Sequence, residues 1–82
     1  MQTDRSIKDM GRETLYHQAK DLGWNVYSYD PEQMKVRLTR GTSRMDLWLT
    51  KKSTVAVLQK GKPAVYHRYV VESKLQELLS NS

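Results

Sequence analysis

Between residues 7 and 22 the apolar positions recur at steps of three and four: Ile7, Met10, Thr14, Leu15, Ala19 and Leu22. That spacing lines one face of an α-helix and predicts an amphipathic helix over residues 6–22. Ser6 followed by Asp9 has the spacing of a capping box with a shortened acid. Gly23 stands where a helix C′ glycine belongs, releasing the chain into Trp24. Gly11 falls on or beside the apolar face, where glycine lowers helix propensity by about 1 kcal/mol relative to alanine. Its presence suggests close approach to another backbone.

From Trp24 the period shortens to two, which predicts strands. The first runs from Trp24 to Asp30 and is ended by Pro31. Met34 to Arg40 alternates, with Met34, Val36 and Leu38 opposed to Lys35, Arg37 and Thr39. Gly41-Thr42-Ser43 turns the chain into Arg44–Lys51, where Met45, Leu47 and Leu49 oppose Arg44, Asp46, Trp48 and Thr50. After Lys51-Lys52, Ser53–Gln59 is more apolar and its inward face is ambiguous. Lys60-Gly61-Lys62 reads as a tight turn with Gly61 at positive φ. Pro63–Val70 is the last strand, and its opening proline suits an edge. Val71, Leu75, Leu78 and Leu79 form the apolar stripe of a short C-terminal helix. Short turns favour pairing in chain order. The expectation is an α+β fold: an N-terminal helix, a four- or five-stranded antiparallel β-meander and a short C-terminal helix, with the helices on one face of the sheet. Residues 1–82 form one domain, with 1–5 and 80–82 frayed.

The chain has 82 residues and no cysteine, so disulfides, thiolate metal sites and cysteine nucleophiles are excluded. The first 20 residues are polar and carry Asp4, Arg5, Lys8 and Asp9, unlike a secretory signal. Val55-Ala56-Val57-Leu58 is the longest apolar run, far short of the roughly 20 residues that span a bilayer. A soluble, cytoplasmic protein with no membrane partner is expected.

Charge changes the picture. Residues 33–71 hold nine cations (Lys35, Arg37, Arg40, Arg44, Lys51, Lys52, Lys60, Lys62 and Arg68) against the single acid Asp46, a local charge of +8. The first 32 residues sum to −2 and the last 11 to −1. Charge segregated into the strand region points to a polyanion, DNA or RNA above all.

Two constellations follow. On the solvent face of the meander, Tyr27, Tyr29, Trp48 and Tyr66 offer stacking platforms, and Lys35, Arg37, Arg44 and Arg68 offer phosphate contacts, with Val65, His67 and Tyr69 as the alternative outer set in the last strand. Ordinary half-exposed strands prefer the same residue types for cross-strand pairing. Alternate turns of a meander meet at one end of the sheet, which would gather Arg40, Arg44, Lys60 and Lys62 around Gly41 and Gly61. The bland alternative is a solvated rim that blocks edge aggregation. Lys51 and Lys52 fall at the opposite end, near Asp30 and Glu32, as surface charges. His17 and His67 have no carboxylate at metal-ligand spacing, and no cofactor is expected.

The order helix, strands, helix is similar to that of a double-stranded-RNA-binding domain. Such domains open their second helix on a short basic motif; here that position reads Val71-Glu72-Ser73-Lys74, and a strand is added, so the resemblance is one of topology. Glu13, Asp46 and Leu58-Gln59-Lys60 resemble in part the layout of restriction-endonuclease-like nucleases. That resemblance implies a metal-dependent nuclease, but Leu58 stands where a second metal-binding acid is required. Such a site would be degenerate or completed by another subunit.

The sequence therefore predicts non-catalytic nucleic-acid binding of low sequence specificity, using Lys35, Arg37, Arg40, Arg44, Trp48, Lys60, Lys62, Tyr66 and Arg68. About four to six phosphate contacts would give a log–log salt slope near −3 to −5. A protein–protein adaptor or inhibitor docking on an acidic protein partner is the alternative, with Trp48 as its anchor. The degenerate nuclease is the second alternative, and a homodimer is compatible with all three.

Overall fold

A computed structural model describes residues 4–82. Five antiparallel strands form one sheet in chain order: β1 (Asn25–Asp30), β2 (Lys35–Arg40), β3 (Ser43–Trp48), β4 (Thr54–Leu58) and β5 (Val65–His67). The helices are α1 (Ile7–Met10), α2 (Arg12–Asp21) and α3 (Glu72–Asn81). The α+β meander expected from the pattern is the observed architecture.

The N-terminal segment is two helices rather than one. Gly11 breaks it with φ 82° and ψ 146°, a conformation open essentially to glycine alone. A Cβ built there meets nothing within 4 Å, so the glycine serves the bend and not a close approach. Ser6 occupies the N-cap of α1 but does not cap it; its hydroxyl pairs with that of Ser53 at 2.6 Å. At the far end of α2, Gly23 N–H donates to Lys20 O and Trp24 N–H to Ala19 O. This paired closure is the Schellman arrangement that a C′ glycine permits.

Alternation fixes the two faces of the sheet. Val36, Leu38, Met45, Leu47, Val55 and Val57 point to the helices and join Ile7, Leu15, Ala19, Leu75 and Leu79 in one core. Trp24 enters the same core, and its indole N–H donates to Leu79 O at 2.9 Å. Met34 departs from the expected strand. It lies in the β1–β2 turn at φ 53°, half exposed, because Asp30 Oδ1 accepts the Glu32 and Gln33 N–H groups and holds the turn open.

Strands β3 and β5 are shorter than expected. The Arg44–Lys51 run pairs only to Trp48, and of Pro63–Val70 only Val65–His67 pairs. Pro63 has no N–H to donate, and Tyr69 at φ 57° ends the extended run. Residues 1–3 of the expected frayed start lie outside the described residues. Asp4 and Arg5 are tied down: the Asp4 carboxylate accepts the Ser73 N–H and hydroxyl, and Arg5 O accepts the Glu72 N–H. Asp4 thus caps α3 from the other end of the chain. Residues 80 and 81 are helical.

Candidate functional site

All three helices contribute to the core on one face of the sheet, so the other is the surface on which the predicted residues were to converge. Cross-strand register arranges that face in rows. Asp30, Lys35, Trp48 and Thr54 make the first; Ser28, Arg37, Asp46, Ala56 and Tyr66 the second; Thr39, Arg44 and Leu58 the third.

Asp46 sits at the centre and is 5% exposed. Arg37 Nε donates to its Oδ1 at 3.0 Å. Arg44 Nε lies 3.8 Å from its Oδ2, beyond hydrogen-bond reach, and is buried without a hydrogen-bond partner. Two cations therefore share one carboxylate, and the cluster keeps a net positive charge. Lys35 stands opposite Trp48 with Nζ 5.6 Å from the indole centroid, within cation–π range.

Beyond Trp48 a groove of about 300 Å³ opens between Trp48, Thr50, Lys52, Thr54, Tyr66 and Arg68. The side chains of β4 between its walls are small, Thr54 and Ala56. None of the lining residues is acidic. A second groove of about 380 Å³, lined by Glu13, Thr14, His17 and Gln18 on α2, holds an acid and neither Lys nor Arg.

The nine predicted residues divide. Lys35, Arg37, Arg44, Trp48 and Tyr66 share the helix-free face, and Arg68 joins Trp48 and Tyr66 at the groove. Lys60 and Lys62 are exposed on the β4–β5 turn, where Lys62 N–H donates to Gln59 O and Gly61 takes φ 78°. Arg40 goes elsewhere. Its guanidinium donates to Leu22 O at 2.9 Å and to Ser82 O, and its carbon lies 4.8 Å from the Trp24 centroid. Arg40 thus neutralises the C-terminal ends of α2 and α3, and the expected quartet around Gly41 and Gly61 loses one member. Alternation explains this: Arg40 has the parity of Leu38 and Val36, which face the helices.

Tyr29 is a second correction. Register pairs it with Val36, so it faces the helices, and the Arg12 guanidinium carbon lies 4.1 Å from its ring centroid. Tyr27 is exposed at the β-bulge between Val26 and Ser28. Lys52, expected to be an ordinary surface charge, lines the groove. Alternation carries no signal for Lys52, because β3 ends at Trp48 and residues 51 and 52 form a turn.

The nuclease-like trio is not assembled. Asp46 lies on the helix-free face, Glu13 on α2 behind the opposite face, and Lys60 on a turn. His17 Nε2 lies 3.6 Å from Asp21, whereas His67 is on β5 opposite Val55. Among the described residues no group of three or more His, Asp or Glu side chains is placed to hold a metal ion, and no helix is long and apolar enough to cross a membrane. Comparison of the chain with protein-family models, with curated protein sequences and with solved structures finds no match.

Proposed function

We propose that this protein binds nucleic acid through the helix-free face of its sheet, chiefly by phosphate contacts and with little sequence preference. The observation that carries the reading is the joint placement of Lys35, Arg37, Arg44, Lys52 and Arg68 with the rings of Trp48 and Tyr66 on that face. Five cations meet two acids, Asp30 and Asp46, and Asp46 is spent within the cluster. Cations that track phosphate beside rings that accept bases are the two elements single-strand binders combine. No helix carries the cations into position for a major groove, in keeping with weak sequence readout.

The test is binding of a short labelled oligonucleotide across a salt series. With Arg40 held by the helices and Asp46 offsetting one cation, about three to five phosphates are neutralised, giving a log–log slope near −2 to −4 for a single strand. A flat salt response, or no binding of DNA or RNA at low salt, overturns the proposal. Binding to an acidic protein that survives high salt and is lost in Trp48→Ala would indicate the adaptor reading instead.

A further inference from the structure

We propose that the groove between Trp48 and Tyr66 receives one unpaired nucleobase, with Lys52 and Arg68 on the phosphates beside it, so that the face selects single strands over duplexes. This rests on the nucleic-acid reading above and adds the form of strand and the place of the base.

The geometry comes from register. Trp48 on β3 stands opposite Thr54 on β4, and Ala56, two residues on, stands opposite Tyr66 on β5. The two rings therefore rise from strands on either side of β4, whose own side chains between them are small. Strands lie about 4.8 Å apart and residues rise about 3.4 Å along each, so walls two strands across and two residues along are separated by about 12 Å at the backbone. That gap admits a planar group lying against either ring. Lys35 approaches the indole from the β2 side, whereas the groove opens on the β4–β5 side, so that ring face is available.

Electrostatics select the occupant. Lys52 and Arg68 are the charged residues of the lining, and both are cations. A neutral aromatic ligand would have no use for them, and a simple anion would have no use for the rings. A nucleotide uses both. Thr50 and Thr54 add hydroxyls that donate to or accept from any base edge, which suits low sequence preference. A duplex keeps its bases stacked and paired, presents phosphate alone and cannot fill the groove without unstacking.

The test compares three labelled probes of equal length: oligothymidylate, an abasic oligomer with the same phosphates, and a duplex. Anisotropy gives affinity and tryptophan emission reports stacking. Trp24 is 1% exposed in the core, so quenching by an added strand reports on Trp48. The expected result is oligothymidylate binding at least about fivefold tighter than the abasic oligomer, within the range of single-base stacking, with quenched emission. Tyr66 is 62% exposed, so Tyr66→Ser leaves the fold intact and narrows that ratio even if Trp48→Leu fails to fold. Equal affinity for the abasic and thymidine oligomers without quenching overturns the base site and leaves phosphate binding standing. A duplex bound as tightly as oligothymidylate overturns strand selection. Failure of all three probes to bind at low salt overturns both proposals.

Discussion

Arg37 and Asp46 stand directly opposite one another on β2 and β3, and the arginine Nε reaches the carboxylate at 3.0 Å. The sole acid among residues 33–71 is thus placed at the middle of the cationic face, where it holds Arg37 and faces Arg44. It supports the cations structurally while subtracting from their charge.

Those two effects separate in Asp46→Asn. Loss of the carboxylate leaves two guanidinium groups facing each other around a nearly buried site, and unfolding free energy should drop by about 1–3 kcal/mol in urea titration. Oligonucleotide affinity at low salt should rise, because one negative charge leaves the face. A variant that binds more weakly while folded would show that Asp46 itself contributes to the contact.

Arg40→Ala should do the reverse of a binding-site change. It removes the guanidinium from Leu22 O, Ser82 O and the Trp24 ring, and about 1–3 kcal/mol of stability should be lost. The salt slope of binding should stay where it was. By contrast, Lys52→Ala with Arg68→Ala, both exposed, should leave the urea midpoint unchanged and reduce the slope by about 1.4, the share of two phosphates on a single strand.

Gly11→Ala isolates backbone strain. Its Cβ meets nothing, so any loss of stability arises from φ 82° and ψ 146° alone. Thermal unfolding should reveal a loss of about 1–3 kcal/mol. An unchanged midpoint would mean that α1 and α2 fuse when alanine is present.

Acid should weaken the tie between the chain ends. The Glu72 carboxyl is held below its ordinary value of 4.5, first by the hydrogen bond from Gln18 and then by that from Arg5. A folded-state value below the unfolded one gives stability that is complete above the unfolded value and disappears as pH falls through the folded one. Urea midpoints should therefore decline on acidification below about pH 4.5, and Glu72→Gln should flatten that limb.

The elements were legible because each depends on local spacing. Period two in Lys35–Arg40 and Ser43–Trp48, glycines at 23, 41 and 61, and the apolar stripe Leu75–Leu79 suffice for a meander between helices. Strand ends were less legible. Met34 and Tyr69 keep an extended pattern in sequence, yet the turn held by Asp30 and the residue at φ 57° end the strands earlier. Alternation alone puts Tyr29 opposite to Val26, and the bulge between Val26 and Ser28 reverses that side, whereas Arg40 keeps the parity of Val36 and Leu38 and so faces the helices.

The sequence by itself determined the α+β meander and the concentration of cations in its strands, since hydrophobic alternation and charge are properties of neighbouring residues. Alternation also placed Lys35, Arg37 and Arg44 on one face, and tertiary structure decided which further cations join that surface or leave it. Arg40 is drawn to the carbonyl ends of two helices, Arg37 and Arg44 are drawn to Asp46, and Lys52 meets Arg68 across a groove built by three strands and a loop. The placements of Arg37, Arg40 and the Lys52–Arg68 pair depend on partners at least nine residues away in the chain, whereas Arg44 and Asp46 are two residues apart on β3 and share a face by alternation. Electrostatic attraction acts through space, and only the folded register sets those distances.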